Sequence, residues 1–238
     1  MSEFITPLSQ LSDHHLIGRK AASLSWLHKN GALVPKTLVC TTKLYNAWKQ
    51  THKLPTGLAN ELDQYLQKNR TYAIRSSGTL EDLEDKSFAG QYATLLDVRG
   101  ISNIKNAVQK VLESTNSEQL TSYLNSSNIE TSHISMAVII QEMVKPVVSG
   151  VAFTKNPITG FDEILIEAIE GTGDQLVQGV VTPARWVYKW GKWITAPSLD
   201  ETILTEDQIN LLRTEIETIA EKYKQPADIE WVFDGESF

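Results

Sequence analysis

The sequence predicts an α+β protein of two lobes, and three observations carry that prediction. Helical and strand-like hydrophobic patterns alternate along the chain. Their mix shifts near residue 130, with helical stripes dominating before it and β-rich runs after it. Between the halves, Ser114 to Ser132 is polar and rich in Ser, Thr and Asn, which reads as a surface helix plus loop. The expected division is a helix-rich lobe over 1–133 and a strand-rich lobe over 134–238 with one long helix near its end. Clefts between lobes are where small ligands usually sit.

Each element has its own signal. Lys20 to Asn30 places Ala21, Leu24 and Leu27 at helical spacing, with Gly31 as a stop. Leu58, Leu62 and Leu66 mark a second helix face, and Ile101, Ile104, Val108 and Val111 a third. Ile209, Leu212, Ile216 and Ile219 mark a fourth, opened by Thr205 with Gln208 three residues on, a capping-box pattern. The predicted strands are Tyr72–Ile74, Thr94–Val98, Met136–Ile140, Val147–Phe153, Glu163–Ala168, Arg185–Trp190 and Ile229–Phe233, with a turn at Trp190-Gly191-Lys192. No internal repeat or low-complexity tract interrupts them.

Composition bounds the function. At 238 residues, with 41% hydrophobic and 21% charged, the chain can bury a sizeable core and is not a disordered composition. A net charge of −7 argues against a basic nucleic-acid footprint. The single cysteine, Cys40, excludes an internal disulfide framework and a cysteine-based zinc site, and suits a reducing compartment. The first residues lack a basic n-region and an apolar h-region, and no run approaches the ~18 apolar residues of a membrane span. The expectation is a cytoplasmic protein with no membrane or nucleic-acid partner.

Several segments could carry chemistry, and each also has an ordinary reading. Gly18-Arg19-Lys20 opens a helix, where free N–H groups and a lysine could meet a phosphate; otherwise it is a loop glycine and a solvated lysine. In Tyr72-Ala73-Ile74-Arg75-Ser76-Ser77-Gly78 a strand runs into an arginine fork, two hydroxyls and a glycine, suited to phosphate oxygens or to a plain strand end. Glu81, Asp82, Glu84 and Asp85 read as a solvated face before the small-residue loop Ser87 to Gly90, whose N–H groups could cover outer phosphates. Gln141-Glu142-Met143-Val144 could present main-chain donors and acceptors to a purine edge, or simply continue a strand. Asp228 and Glu230 share one face of a strand and could hold Mg²⁺, or point to water from an edge strand. Thr131-Ser132-His133 copies the core of a phosphohistidine motif but lacks a glycine-rich lead-in, so His133 reads as an ordinary histidine; His14 and His15 read as surface residues.

The order of these pieces is informative. Gly18 to Leu24, Ile74 to Ser77, Glu81 to Leu83 with Ser87 to Gln91, Gln141 to Val144, Ser149 to Thr154 with Asn156 to Gly160, and Asp228 to Trp231 together resemble one family. It is the N-terminal ATP-binding domain of phosphoenolpyruvate synthases, pyruvate phosphate dikinases and rifampicin phosphotransferases. The resemblance runs from about residue 15 to 234.

The resemblance implies an ATP-grasp-type fold that holds ATP between two lobes. It implies that ATP gives a pyrophosphoryl group to a histidine on a separate swivelling domain, in the same chain or in a partner, and that AMP departs. Lys20 and Arg75 resemble the triphosphate-binding, catalytic cations. Ser87, Ala89 and Gly90 fall in the loop over the outer phosphates. Glu142 and Val144, with Gln141 and Met143 beside them, resemble the adenine hinge. Glu230, with Asp228, resembles the ligand of Mg²⁺. Three features depart from the family pattern. Arg19 and Ala21 flank the lysine where Gly-Gly-Lys-Gly-Ala is usual, Lys20 and Arg75 are only 55 residues apart, and Phe238 precedes the usual Gln-x-Arg segment. The alternatives are a nucleotide-binding regulatory module without catalysis and a direct ADP-forming kinase.

Overall fold

The computed structural model describes residues 3–11, 16–79, 93–117, 135–173, 181–198 and 202–238. They form two units, Met1–Met143 and Val144–Phe238. Each contains a five-stranded sheet whose pairings are all antiparallel.

In the first unit the chain runs β1 (Ile5–Pro7), α1 (Gly18–Lys29), β2 (Thr37–Cys40), α2 (Thr42–Thr51), α3 (Leu58–Tyr65), β3 (Tyr72–Gly78), β4 (Thr94–Val98), α4 (Ile101–Glu113) and β5 (Met136–Glu142). The sheet order is β1-β2-β5-β3-β4, so the last strand in sequence lies at the centre. Its apolar run explains that position. Met136, Ala137, Val138, Ile139 and Ile140 are all fully buried, because both sheet faces are covered. Met136, Val138 and Ile140 face one core with Leu44, Trp48, Leu58, Leu62, Ile104 and Val108 of α2, α3 and α4. Ala137 and Ile139 face the other, with Ile17 and Ala21 at the start of α1 and Leu8 and Leu11 before it. A central strand covered on both faces needs no alternation, only continuous apolar side chains.

The second unit runs β6 (Val148–Phe153), β7 (Ile164–Glu170), β8 (Ala184–Lys189), β9 (Lys192–Thr195), α5 (Glu206–Tyr223) and β10 (Asp228–Phe233). Its sheet order is β10-β6-β7-β8-β9. One face packs on α5 through Ile209, Leu212 and Ile216, against Val148, Ala152, Ile166, Ala168, Trp186, Trp231 and Phe233. The Thr205 hydroxyl accepts from the Gln208 N–H at 3.3 Å, and the Gln208 side chain accepts from the Thr205 N–H at 2.9 Å. The predicted capping box is therefore present. The loop from β6 to β7 is held from within. Asn156 Oδ1 accepts from the Ile158 and Thr159 N–H groups, while Asn156 Nδ2 and Thr159 Oγ1 donate to Glu163 Oε1 at 2.6 and 2.8 Å. Lys189 Nζ reaches Glu163 Oε2 at 3.1 Å.

The structure alters several sequence expectations. The boundary between units falls after Met143, not after residue 133, because β5 pairs with β2 and β3 and belongs to the first sheet. The first unit is therefore not only helical but holds a five-stranded sheet of its own. The strand predicted over Met136–Ile140 continues to Glu142, and the helix predicted from Lys20 begins at Gly18. Leu66 lies just outside α3 with extended backbone. Neither β2 nor α2 is predicted from the sequence. Thr37 to Cys40 are buried without alternation, and α2 follows after one residue with no side-chain cap on Thr41. Of the polar stretch between the halves, Ser114–Asn116 form a 3₁₀ turn, and 118–134 lie outside the described residues.

Candidate functional site

Two of the predicted residues share a side of the first unit. Arg75 and Ser77 are two apart in β3, hence on one face, and pair in register with Ile139 and Ala137. That is the face on which Ile17 and Ala21 of the α1 region pack. Arg75 is half-buried, and Lys20 is exposed on the first turn of α1.

A buried hydroxyl fixes the helix start to the strand. Ser77 Oγ donates to the Ile17 carbonyl at 2.8 Å and accepts from the Ala21 N–H at 3.0 Å. The hydroxyl thus bridges the carbonyl of the N-cap residue and the N–H one turn on, the pair that makes the first hydrogen bond of the helix. Gly18 allows the approach. Its φ is +67°, and a Cβ there would stand 2.1 Å from the Ser77 carbonyl oxygen. Only glycine tolerates both conditions. The sequence offers the Ser77 hydroxyl as a donor to phosphate oxygens; the structure instead engages it with the backbone of Ile17 and Ala21.

Of the predicted hinge residues, Gln141, Glu142 and Met143 end the first unit and Val144 opens the second. Gln141 Nε2 donates to Thr37 Oγ1 at 3.1 Å. The Glu142 carboxylate pairs with Arg70 at 3.1 Å. The Glu142 N–H donates to the Lys36 carbonyl at 2.8 Å and the Met143 N–H to the Thr71 carbonyl at 2.9 Å. Met143 Sδ accepts from the Asp97 N–H. Two successive backbone donors are thus engaged inside the unit. For the Val144 N–H no backbone acceptor is found among the described residues. The expectation placed main-chain atoms of Glu142 and Val144 at adenine; of these, the Glu142 N–H is engaged within the first unit.

Asp228 and Glu230 belong to the second unit. They are exposed on one face of β10, an edge strand, while Trp231 and Phe233 are buried. Glu230 pairs with Val151, Val151 with Glu167, and Glu167 with Arg185. This row crosses the sheet on one face, opposite the face that α5 covers. The Arg185 Nε donates to Glu167 at 2.9 Å. Among the described residues no group of three or more His, Cys, Asp or Glu could form a protein-only metal cage. Two exposed carboxylates on one strand face do fit a hard cation that takes one or two carboxylates and completes its shell with phosphate and water.

Ser87, Ala89 and Gly90 lie outside the described residues, as do His14, His15 and His133. Cys40 is fully buried, and burial, with a smaller contribution from the Glu61 charge, pushes its thiol up to about 12. It is an inert core residue. No helix among the described residues is long and apolar enough to cross a membrane.

The described residues form an antiparallel α+β protein in two units, with the start of a lysine-bearing helix hydrogen-bonded to an arginine-bearing strand. The chain belongs to the family described as pyruvate phosphate dikinase, AMP/ATP-binding domain, whose model matches residues 49–201. It is similar to a probable phosphoenolpyruvate synthase of Archaeoglobus fulgidus, 34% identical over 68% of this chain and 25% of that protein. It is also similar to a phosphoenolpyruvate synthase of Deinococcus radiodurans, 31% identical over 83% of this chain and 30% of that protein. The chain thus spans less than a third of either relative. Among solved structures, D-alanyl-alanine synthetase A from Vibrio cholerae matches with a TM-score of 0.43 and 12% identity, over 94% of this chain and 53% of that one.

Proposed function

We propose that this chain is the ATP-binding module of a dikinase-type phosphotransferase with an ATP-grasp-type fold, which passes a pyrophosphoryl group from ATP to a histidine on a separate domain and releases AMP. In this reading Lys20 and Arg75 hold the polyphosphate and offset the charge that develops during transfer. The hinge at 141–144 receives adenine. The Glu142 carbonyl and the Val144 N–H match adenine's amino group and N1. The small-residue loop containing Ser87, Ala89 and Gly90 covers the outer phosphates. Asp228 and Glu230 would hold Mg²⁺, which when bound neutralises phosphate oxygens. The histidine nitrogen forms a bond to the β-phosphorus, and the bond from that phosphorus to the oxygen bridging toward the α-phosphate breaks. AMP leaves with that oxygen.

The observation that supports the reading best is the shared face of Lys20's helix and Arg75's strand, within a chain of this family. Phosphoryl transfer depends mainly on positioning and electrostatics, and a lysine and an arginine carried by two elements packed together would supply both. The test is to incubate the chain with ATP, Mg²⁺ and the isolated histidine domain of a phosphoenolpyruvate synthase, and to identify the product. AMP that requires the histidine domain, and that falls by about 10²-fold or more in Lys20→Ala and Arg75→Ala proteins, is the expected result. ADP as product, or AMP that persists in both variants, overturns it. ATP binding without turnover would leave a nucleotide-binding module and remove the dikinase activity.

A further inference from the structure

We propose that Ser77 is a positioning residue for the phosphate-binding cations, acting as the clamp that sets the start of α1 against β3. This rests on the nucleotide-binding reading above. The Ser77 side chain is fully buried and uses its single hydroxyl in both directions. It donates to the carbonyl of Ile17, the residue before α1, and accepts from the N–H of Ala21, one turn later. Lys20 precedes Ala21, so the bond that fixes Ala21 fixes the backbone that carries Lys20. Arg75 lies two residues before Ser77 on the same strand face. One side chain therefore connects the two elements on which the cations stand.

The surroundings show that the clamp is built. Gly18 adopts φ +67°, and its Cα comes so close to β3 that a Cβ would meet the Ser77 carbonyl oxygen at 2.1 Å and the hydroxyl oxygen at 2.7 Å. Ile17 and Ala21 on either side are fully buried against Ala137 and Ile139. A residue needed only to fill space would serve as alanine. A hydroxyl that satisfies a helix N–H and the carbonyl before the helix also fixes the rotation of the first turn. Transfer chemistry is sensitive to displacements of this kind, where a shift of about 1 Å can cost about 10²-fold.

The test compares ATP with AMP, because only ATP presents the outer phosphates. Calorimetric affinities for both are measured in the wild-type chain, Ser77→Ala and Ser77→Thr, together with thermal unfolding and hydrogen exchange of the Ala21 amide. Ser77→Ala should bind ATP about tenfold more weakly while its AMP affinity stays within about twofold, and its Ala21 amide should exchange faster. Ser77→Thr, which keeps the hydroxyl, should restore the ATP-to-AMP ratio. Equal weakening of both ligands in step with a lower unfolding temperature would show a merely structural role and overturn the inference. Unchanged ATP affinity in Ser77→Ala would overturn it and leave the nucleotide-binding reading intact. A wild-type chain that binds no ATP overturns that reading and this inference with it.

Discussion

Trp231 lies against the bare Cα of Gly150. The two residues are register partners on β10 and β6, and a Cβ on Gly150 would stand 2.7 Å from Trp231 Cζ2 and 1.9 Å from the Glu167 carbonyl oxygen of the next strand. The indole could move, but the carbonyl belongs to a central strand and has no room to give. Gly150→Ala should therefore destabilise the protein by about 2–3 kcal/mol, read as a lower urea midpoint. Serine at the same position should cost at least as much. An unchanged midpoint would show that β6 and β7 can separate locally.

The two carboxylates of β10 make a prediction about magnesium. Asp228→Asn and Glu230→Gln should raise the Mg²⁺ concentration needed for tight ATP binding by about tenfold each, measured by calorimetry across a Mg²⁺ titration. Both side chains are exposed, so the unfolding midpoint should change little. Metal-independent binding in wild type and variants alike would refute the assignment.

Glu163 makes a prediction about acid. Its carboxylate is held below the usual range chiefly by the Thr159 hydroxyl, then by Lys189 and Asn156, against the opposing effect of burial. A carboxylate with a depressed folded value stabilises the protein above its unfolded value and loses that contribution as pH falls through the folded one. Glu163→Gln should therefore be less stable than wild type at pH 7. The difference should shrink on acidification below about pH 4.5, the ordinary value for this group. A pH-independent difference in denaturant midpoint would show that packing, not charge, accounts for it.

Cys40 makes a prediction about reactivity. With its thiol pushed up to about 12, the thiolate at pH 8 is on the order of one part in ten thousand. The folded chain should resist a thiol-specific disulfide reagent and release one equivalent only on unfolding. Rapid modification of native protein would mean that β2, where Cys40 sits, opens readily.

Elements with a strong local pattern were legible from the sequence. The α5 stripe and its capping box, the continuous apolar run of β5 and the hydrophobic spacing of α4 each announce their structure, because short-range periodicity suffices. β2 and α2 were not legible. Thr37 to Cys40 becomes a strand by pairing with β1 and β5, and nothing within four residues encodes that pairing. The domain boundary failed for the same reason. A change in composition near residue 130 marks where local pattern shifts, whereas the unit boundary is set by which sheet β5 joins.

The candidate site divides in the same way. From sequence, Lys20, Arg75, the hinge and the β10 carboxylates were found as residue types suited to phosphate, purine and cation, and the α+β class and family followed from their order. What the tertiary structure decided was connection. It put the start of α1 and the Arg75 face of β3 on one side of the first sheet, gave the Ser77 hydroxyl two backbone partners about 60 positions upstream, and engaged the Glu142 and Met143 N–H groups within the unit. Side-chain chemistry is a property of each residue and can be read one at a time. Contact between residues far apart in the chain exists only once the sheet has paired and the helices have packed.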